Sequence, residues 1–200
     1  ALETEAAVAL TMRIGRALDN RADESEAQLM RIGAAIGKYW ICKRTPGVAA
    51  EAMECIGGSG VMEDGPMPRI FRESPVNAIW EGSGNVQCLD VLRALSRTPE
   101  TLAVYFAEVE AANGANAAYD RHVAALKEDM RETDDFEMRA RDLVDRLAVA
   151  FQASVLVRHA PAFVSDAYCA SRMESRGAHQ YGALPKGVDC KAIVTRARAR

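Results

Sequence analysis

The stretch Pro75-Val76-Asn77-Ala78-Ile79-Trp80-Glu81-Gly82-Ser83-Gly84-Asn85 runs directly into Val86-Gln87-Cys88-Leu89-Asp90-Val91-Leu92-Arg93-Ala94-Leu95. The second part is a helical pattern, and a Gly-Ser-Gly turn opens it. Gly82 and Gly84 leave the backbone free to take positive φ or to pass close to a ligand. Ser83 is placed to cap the helix, and the N–H groups behind it favour an anionic group such as phosphate. Glu81 stands behind a large aromatic and an aliphatic residue. Local sequence leaves two readings of it: a first-turn carboxylate favoured by the helix dipole, or a chemically active group held at a turn. The stretch alone favours the first.

Working outward, residues 57 to 68 are punctuated by glycine and proline, opening with Gly57-Gly58-Ser59-Gly60 and ending at Pro66-Met67-Pro68. Such a long loop is uncommon unless functional. Arg69 to Glu73 reads as a short helical turn leading into the opening stretch. Upstream, Leu2, Ala6, Leu10, Ile14, Ala17 and Leu18 form a helical stripe that Asp19-Asn20 ends. A second helix is predicted from about Glu26 to Lys43. Thr45-Pro46 reads as a cap and first-turn proline for a third, Val48 to Ile56, which Gly57-Gly58 stops.

Downstream, Arg97-Thr98-Pro99-Glu100 reads as a boundary. Helical patterns follow near residues 100–112, 115–131, 134–159, 161–175 and 187–199, with Arg176 to Gly187 as the clearest late loop. No strand pattern of useful length appears. The expected fold is all-α, two helical bundles in series divided as residues 1–98 and 99–200. The 200 residues are 49% hydrophobic and 26% charged, an ordinary globular composition able to bury a core.

Several function classes fall away. Five widely spaced cysteines (Cys42, Cys55, Cys88, Cys169, Cys190) contain no C-x-x-C. That argues against a disulfide framework or a zinc site and for a reducing, cytoplasmic compartment. Three histidines without metal spacing predict no metal centre. No run of about twenty apolar residues exists to span a membrane. The chain opens on Ala1-Leu2-Glu3-Thr4 already in helical pattern, so it is expected to start within a domain of something longer.

Charge is uneven in the second half. Residues 101–138 hold three basic and nine acidic side chains, whereas residues 139–200 hold eleven basic and five acidic. The basic end, Arg196-Ala197-Arg198-Ala199-Arg200, is either a solvated helix face or a surface for nucleic-acid phosphates, and composition leans to the former. Few aromatics interleave with it, so any double-stranded DNA contact would be to the backbone and salt-sensitive.

Two motifs stand at a fixed separation: Glu54-Cys55-Ile56-Gly57-Gly58-Ser59-Gly60 and Ile79-Trp80-Glu81-Gly82-Ser83-Gly84-Asn85, with Arg69 and Arg72 between them. Together, across residues 1–98, they resemble the C-terminal helical domain of acyl-CoA dehydrogenases. That family has a Gln-x-x-Gly-Gly-x-Gly segment, a basic and aromatic stretch, then an aromatic-Glu-Gly-Thr/Ser motif. The wording from Arg72 through Asn85, followed by Cys88-Leu89-Asp90-Val91-Leu92-Arg93, is similar to the AidB-like branch. These are flavoproteins associated with the DNA alkylation response, and they carry a helical C-terminal extension implicated in DNA binding. Residues 99–200 resemble that extension in length and helical character.

The resemblance implies roles residue by residue. Glu81 matches the catalytic base that takes the α-proton of an acyl-CoA thioester while FAD accepts the β-hydride. That chemistry asks for a dry carboxylate, because desolvation strengthens it as a base. Gly57 and Gly58 match positions where the backbone approaches FAD, often that of a neighbouring subunit. Ser83 and Asn85 match flavin-contacting positions. Glu54 stands where most of the family has Gln, and a carboxylate cannot donate that amide's hydrogen bonds. Ser83 replaces the commoner Thr.

Arg93, about three turns below Glu81, is a candidate DNA phosphate contact beside Arg196 and Arg198; its competing reading is a salt bridge to Asp90. The resemblance further implies a homotetramer, and a piece of this length inactive by itself. The alternative reading is a metabolic acyl-CoA dehydrogenase whose extension serves oligomerisation.

Overall fold

Capping side chains set where several helices begin. Asp23 accepts hydrogen bonds from the Ser25 and Glu26 N–H groups, Asn116 from Ala118 and Tyr119, and Asp189 from Ala192. The structure, a computed structural model, describes residues 1–174, 181 and 183–198. Among them the helices are α1 (Leu2–Asp19), α2 (Glu24–Ile56), α3 (Met67–Glu73), α4 (Gly84–Arg97), α5 (Glu100–Glu110), α6 (Ala117–Asp129), α7 (Phe136–His159), α8 (Ala162–Arg172) and α9 (Cys190–Ala197). Two short 3-10 turns, Gly57–Val61 and Ser74–Ala78, flank α3. No strand occurs among the described residues. The fold is all-α, and none of these helices is long and apolar enough to cross a membrane.

Two sequence expectations change. Thr45-Pro46 does not start a new helix, because α2 runs unbroken from Glu24 to Ile56 with Pro46 inside it. An interior proline removes one helical hydrogen bond and clashes with the preceding turn, at about 3 kcal/mol. Tertiary packing holds the helix through it: Trp40 and Ala49 are buried on either side, and the Tyr181 ring lies against Gly47. Residues 57–68 are likewise not one continuous loop: a 3-10 turn covers Gly57–Val61, residues 62–66 are turns and bends, and α3 begins at Met67. Of the expected late loop, residues 176–180 and 182 lie outside the described residues.

The centre of the molecule is α7. From Leu143 to Leu156 nearly every side chain is buried, so the helix is apolar around its whole circumference. It packs on α1, α2 and α4 on one side of the chain boundary and on α5, α6 and α8 on the other. The buried side chains before and after Pro99 therefore form one cluster, in which Leu10, Ile32, Ile36, Val91, Leu147 and Phe151 are fully enclosed. Each such large side chain contributes about 1.5–3 kcal/mol by leaving water.

Two ion networks, one half-buried and one largely buried, tie the same elements together. Arg13 on α1 is bidentate to Glu26 of α2 (2.8 and 3.0 Å) and to Glu108 of α5 (2.8 and 3.0 Å). Arg158 of α7 also donates to Glu108. Glu3 accepts from Arg44 of α2 and, at 2.9 Å, from Arg172 of α8. Burial pushes the carboxyls of Glu3 and Glu108 up, but their arginine partners outweigh it and hold both below the ordinary value of 4.5.

Candidate functional site

The turn carrying Glu81 is built from the Ser74–Ala78 3-10 turn, whose Val76 carbonyl accepts from the N–H groups of Ile79 (2.9 Å) and Trp80 (3.1 Å). Glu81 itself has φ 51°, in the left-handed region, and Gly82 follows at φ 102°. For a non-glycine residue that conformation costs on the order of 1 kcal/mol, and it persists only where the surroundings over-determine it. Here side chains hold the carbonyls on either side. Lys38 of α2 donates to the Asn77 and Trp80 carbonyls at 2.6 and 3.0 Å. Gln87, from the first turn of α4, donates to the Glu81 carbonyl at 3.0 Å. The sequence pointed to neither residue. Lys38's only signal is a cation within an otherwise apolar run of α2.

The Glu81 carboxylate is exposed and makes no hydrogen bond or ion pair among the described residues. Around it Ile79 is 65% and Trp80 59% exposed. The dry environment expected for a base is thus not supplied by the described residues themselves. It requires a surface laid over this face.

Ser83 occupies the N-cap position of α4 with extended backbone, yet its hydroxyl makes no capping bond. The side chain remains available as a donor toward solvent. Asn85, also exposed, accepts a 3.2 Å hydrogen bond from Arg141 of α7. Gly84 is buried on the Tyr39 ring, where a Cβ would sit 3.4 Å from Cδ2. Beneath it the buried Cys88 thiol is pushed up to about 11 by burial and the Asp145 carboxylate, which leaves it unreactive.

The glycine motif lies elsewhere. Gly57, at φ 75°, and Gly58 are exposed, with nothing within 4 Å of the position a Cβ would take. Open space over bare backbone fits a ligand that approaches the main chain closely, as the FAD expectation requires. Glu54 is exposed one turn before them. Lys38, which holds the Glu81 turn, and Ile56, which precedes Gly57, are roughly 27 Å apart along α2 at the helical rise. The structure therefore does not bring the two motifs into one small pocket; the Glu81 turn sits at the middle of α2 and the glycine motif at its C-terminal end.

Gly60 shows what fixes the glycine turn. A Cβ there would come within 2.6 Å of the Met53 carbonyl oxygen. Gly60→Ala is expected to destabilise the protein by about 1–3 kcal/mol, because backbone must move to admit the methyl. Thermal unfolding of the variant checks this; an unchanged midpoint would mean the turn is not seated on α2.

The three arginines named as DNA contacts are dispersed. Arg93 lies 3.5 Å from Asp90, which is also bidentate to Arg31. Arg196 pairs with Glu5 at 2.8 Å. Arg196, Arg198 and Lys191 nevertheless line one open groove of about 700 Å³ together with Phe163 and Asp189. Ala199 and Arg200 lie outside the described residues. No cluster of three or more metal-ligating side chains occurs among those described.

An all-helical bundle with an exposed Trp-Glu-Gly turn at the head of one helix and a glycine turn at the end of another defines the class. Residues 1–96 match the model of the acyl-CoA dehydrogenase C-terminal domain, and the chain belongs to the acyl-CoA dehydrogenase family. It is 38% identical over 180 residues to the putative acyl-CoA dehydrogenase AidB of Escherichia coli strain K12, covering 88% of this chain and 32% of that protein. It is 32% identical over 115 residues to acyl-CoA dehydrogenase family member 11 of Caenorhabditis elegans, covering 58% of this chain and 19% of that one. The solved structure of C. elegans ACDH-11 in complex with C11-CoA shares the fold, with a TM-score of 0.80 at 24% identity over 86% of this chain and 34% of its own. The chain thus spans about a third of the length of AidB. An alignment of 180 residues cannot fit within residues 1–98, so the likeness to AidB continues beyond them.

Proposed function

We propose that this chain is the C-terminal part of an FAD-dependent flavoprotein similar to AidB. Glu81 holds the place of the base for an acyl-CoA thioester, and the extension binds double-stranded DNA. The observation that carries the reading is the left-handed backbone at Glu81, held between Lys38 and Gln87 and set among exposed apolar side chains. Strain kept at an exposed carboxylate has no structural benefit, whereas a base must be aimed.

In this reading a Glu81 carboxylate oxygen takes the α-proton, and Ile79 and Trp80 help exclude water once the face is covered. Ser83 and Asn85 would hold the cofactor at the head of α4, and the Gly57-Gly58 backbone would border the cofactor of a neighbouring subunit. FAD, when bound, accepts the β-hydride. The separation of the two motifs along α2 supports a site shared between subunits, hence a homotetramer, working in the cytoplasm. Exposed apolar side chains in, beside and between the two motifs, among them Ile56, Val61, Phe71, Trp80 and Val86, suit burial against the rest of such an assembly.

Residues 1–98 are then the family bundle and residues 99–200 the extension. The groove of Lys191, Arg196 and Arg198 would meet the phosphate backbone, with Arg93 as a separate outlying contact. Binding of duplex DNA by the full-length protein, followed across salt concentration, tests this half. Arg196→Ala/Arg198→Ala is expected to lower the slope of log affinity against log salt by about 2, near 0.9 for each phosphate no longer neutralised. No affinity even at low salt would leave the metabolic dehydrogenase, with its extension serving oligomerisation, as the better reading.

A further inference from the structure

We infer that Arg141 is a positioning residue for the cofactor contact at Asn85, supplied by the extension rather than by the family's own domain. The inference rests on the proposal that Asn85 contacts FAD. Arg141 lies 56 residues along the chain from Asn85 and beyond the family match, which ends at residue 96. Its Nε–H donates to Asn85 Oδ1 at 3.2 Å.

That bond selects one orientation of the amide. Oδ1 is committed to the guanidinium, so Nδ2 with its two N–H donors faces the other way. A donor pair with a permanent positive charge behind it suits an anionic, oxygen-rich group, such as the pyrophosphate of a dinucleotide. A flipped amide would instead present an acceptor oxygen to the same anion and repel it. Arg141 therefore sets the sign of the contact that Asn85 offers.

Arg141 is exposed, but the part of α7 that carries it is placed independently. Asp145, four residues later and on the same face of α7, accepts a 2.6 Å hydrogen bond from the Tyr39 hydroxyl. The Tyr39 ring in turn supports Gly84. The extension thus grips the head of α4 at two adjacent points, Gly84 through Tyr39 and Asn85 through Arg141. Cofactor occupancy in one half of the chain becomes dependent on a helix in the other.

Equilibrium titration of the flavin-stripped full-length protein with FAD, read by flavin fluorescence, tests this. Arg141→Ala is expected to weaken FAD affinity about tenfold, the scale of one charge-assisted hydrogen bond. Arg141→Lys, which keeps the charge but not the planar donor, restores part of that affinity. Asn85→Ala weakens binding similarly, and the double variant binds no worse than Asn85→Ala alone, because the two side chains act through one contact. Melting of the flavin-free variants at the wild-type temperature separates the effect from folding. Arg141→Ala binding FAD as tightly as wild type, or effects that multiply in the double variant, would overturn the positioning role alone. A wild-type protein with no FAD affinity would overturn the flavoprotein reading beneath it.

Discussion

On the proposed function, Glu81→Gln in the full-length protein is expected to slow flavin reduction by an acyl-CoA thioester about 10³-fold, the scale of general-base catalysis. Glutamine has nearly the shape of glutamate but cannot accept the α-proton. Lys38 and Gln87 hold the turn through main-chain carbonyls, so the substitution leaves its backbone in place. FAD affinity and thioester affinity should therefore change only a few-fold while the reduction rate collapses. Anaerobic stopped-flow bleaching of the flavin separates these quantities. A rate within tenfold of wild type would move the base to another residue. If no thioester bleaches the wild-type flavin, the dehydrogenation half falls and the DNA half is judged on its own. The exposure of Glu81 in these 200 residues makes one further point. On the proposed function the water must be removed by whatever covers this face, since desolvation is what strengthens a carboxylate as a base.

The second large effect is on stability. Glu108→Ala is expected to cost about 3 kcal/mol, because it leaves Arg158 and one side of Arg13 charged and poorly compensated in a half-buried network. For a chain of this size that lowers the melting temperature by about 10 °C. The effect has a pH signature whose sign follows from the carboxyl being held below its ordinary value. Its stabilisation is fully present above about pH 4.5, the unfolded value, and is lost as pH falls through the lower folded value. Wild type and variant should therefore differ most near neutrality and converge in acid. Thermal melts from pH 7 to pH 3 read this directly, and a gap that widened in acid would contradict it. Glu3, held between Arg44 and Arg172, contributes with the same sign.

Both networks join elements on either side of Pro99, and neither was legible in the sequence. Arg13 and Glu108 are 95 residues apart, and Glu3 and Arg172 are 169 apart. Nothing in local periodicity links them. The helices themselves were largely legible, because 3.6-residue patterning and capping residues are local properties; α1, α4 and α7 lie close to where the pattern placed them. Pro46 misled for the same reason. Proline is a local helix breaker, and it is the burial of α2's own Trp40 and Ala49, with the Tyr181 ring against Gly47, that carries α2 through it.

The candidate site divides in the same way. Gly57, Gly58, Glu81, Ser83 and Asn85 stood out in the sequence because their residue types constrain the backbone or the chemistry wherever they occur. The identity of the helical domain followed from two such motifs at one spacing. Tertiary structure alone decided what surrounds them. Lys38 and Gln87 hold the Glu81 turn, one motif sits at the middle of α2 and the other at its C-terminal end, and Arg141 reaches Asn85 from α7. The physical reason is common to all three. Turn chemistry and helical periodicity are written in neighbouring residues, whereas the partners of a strained turn or an oriented amide are set by how helices distant in sequence pack around α7.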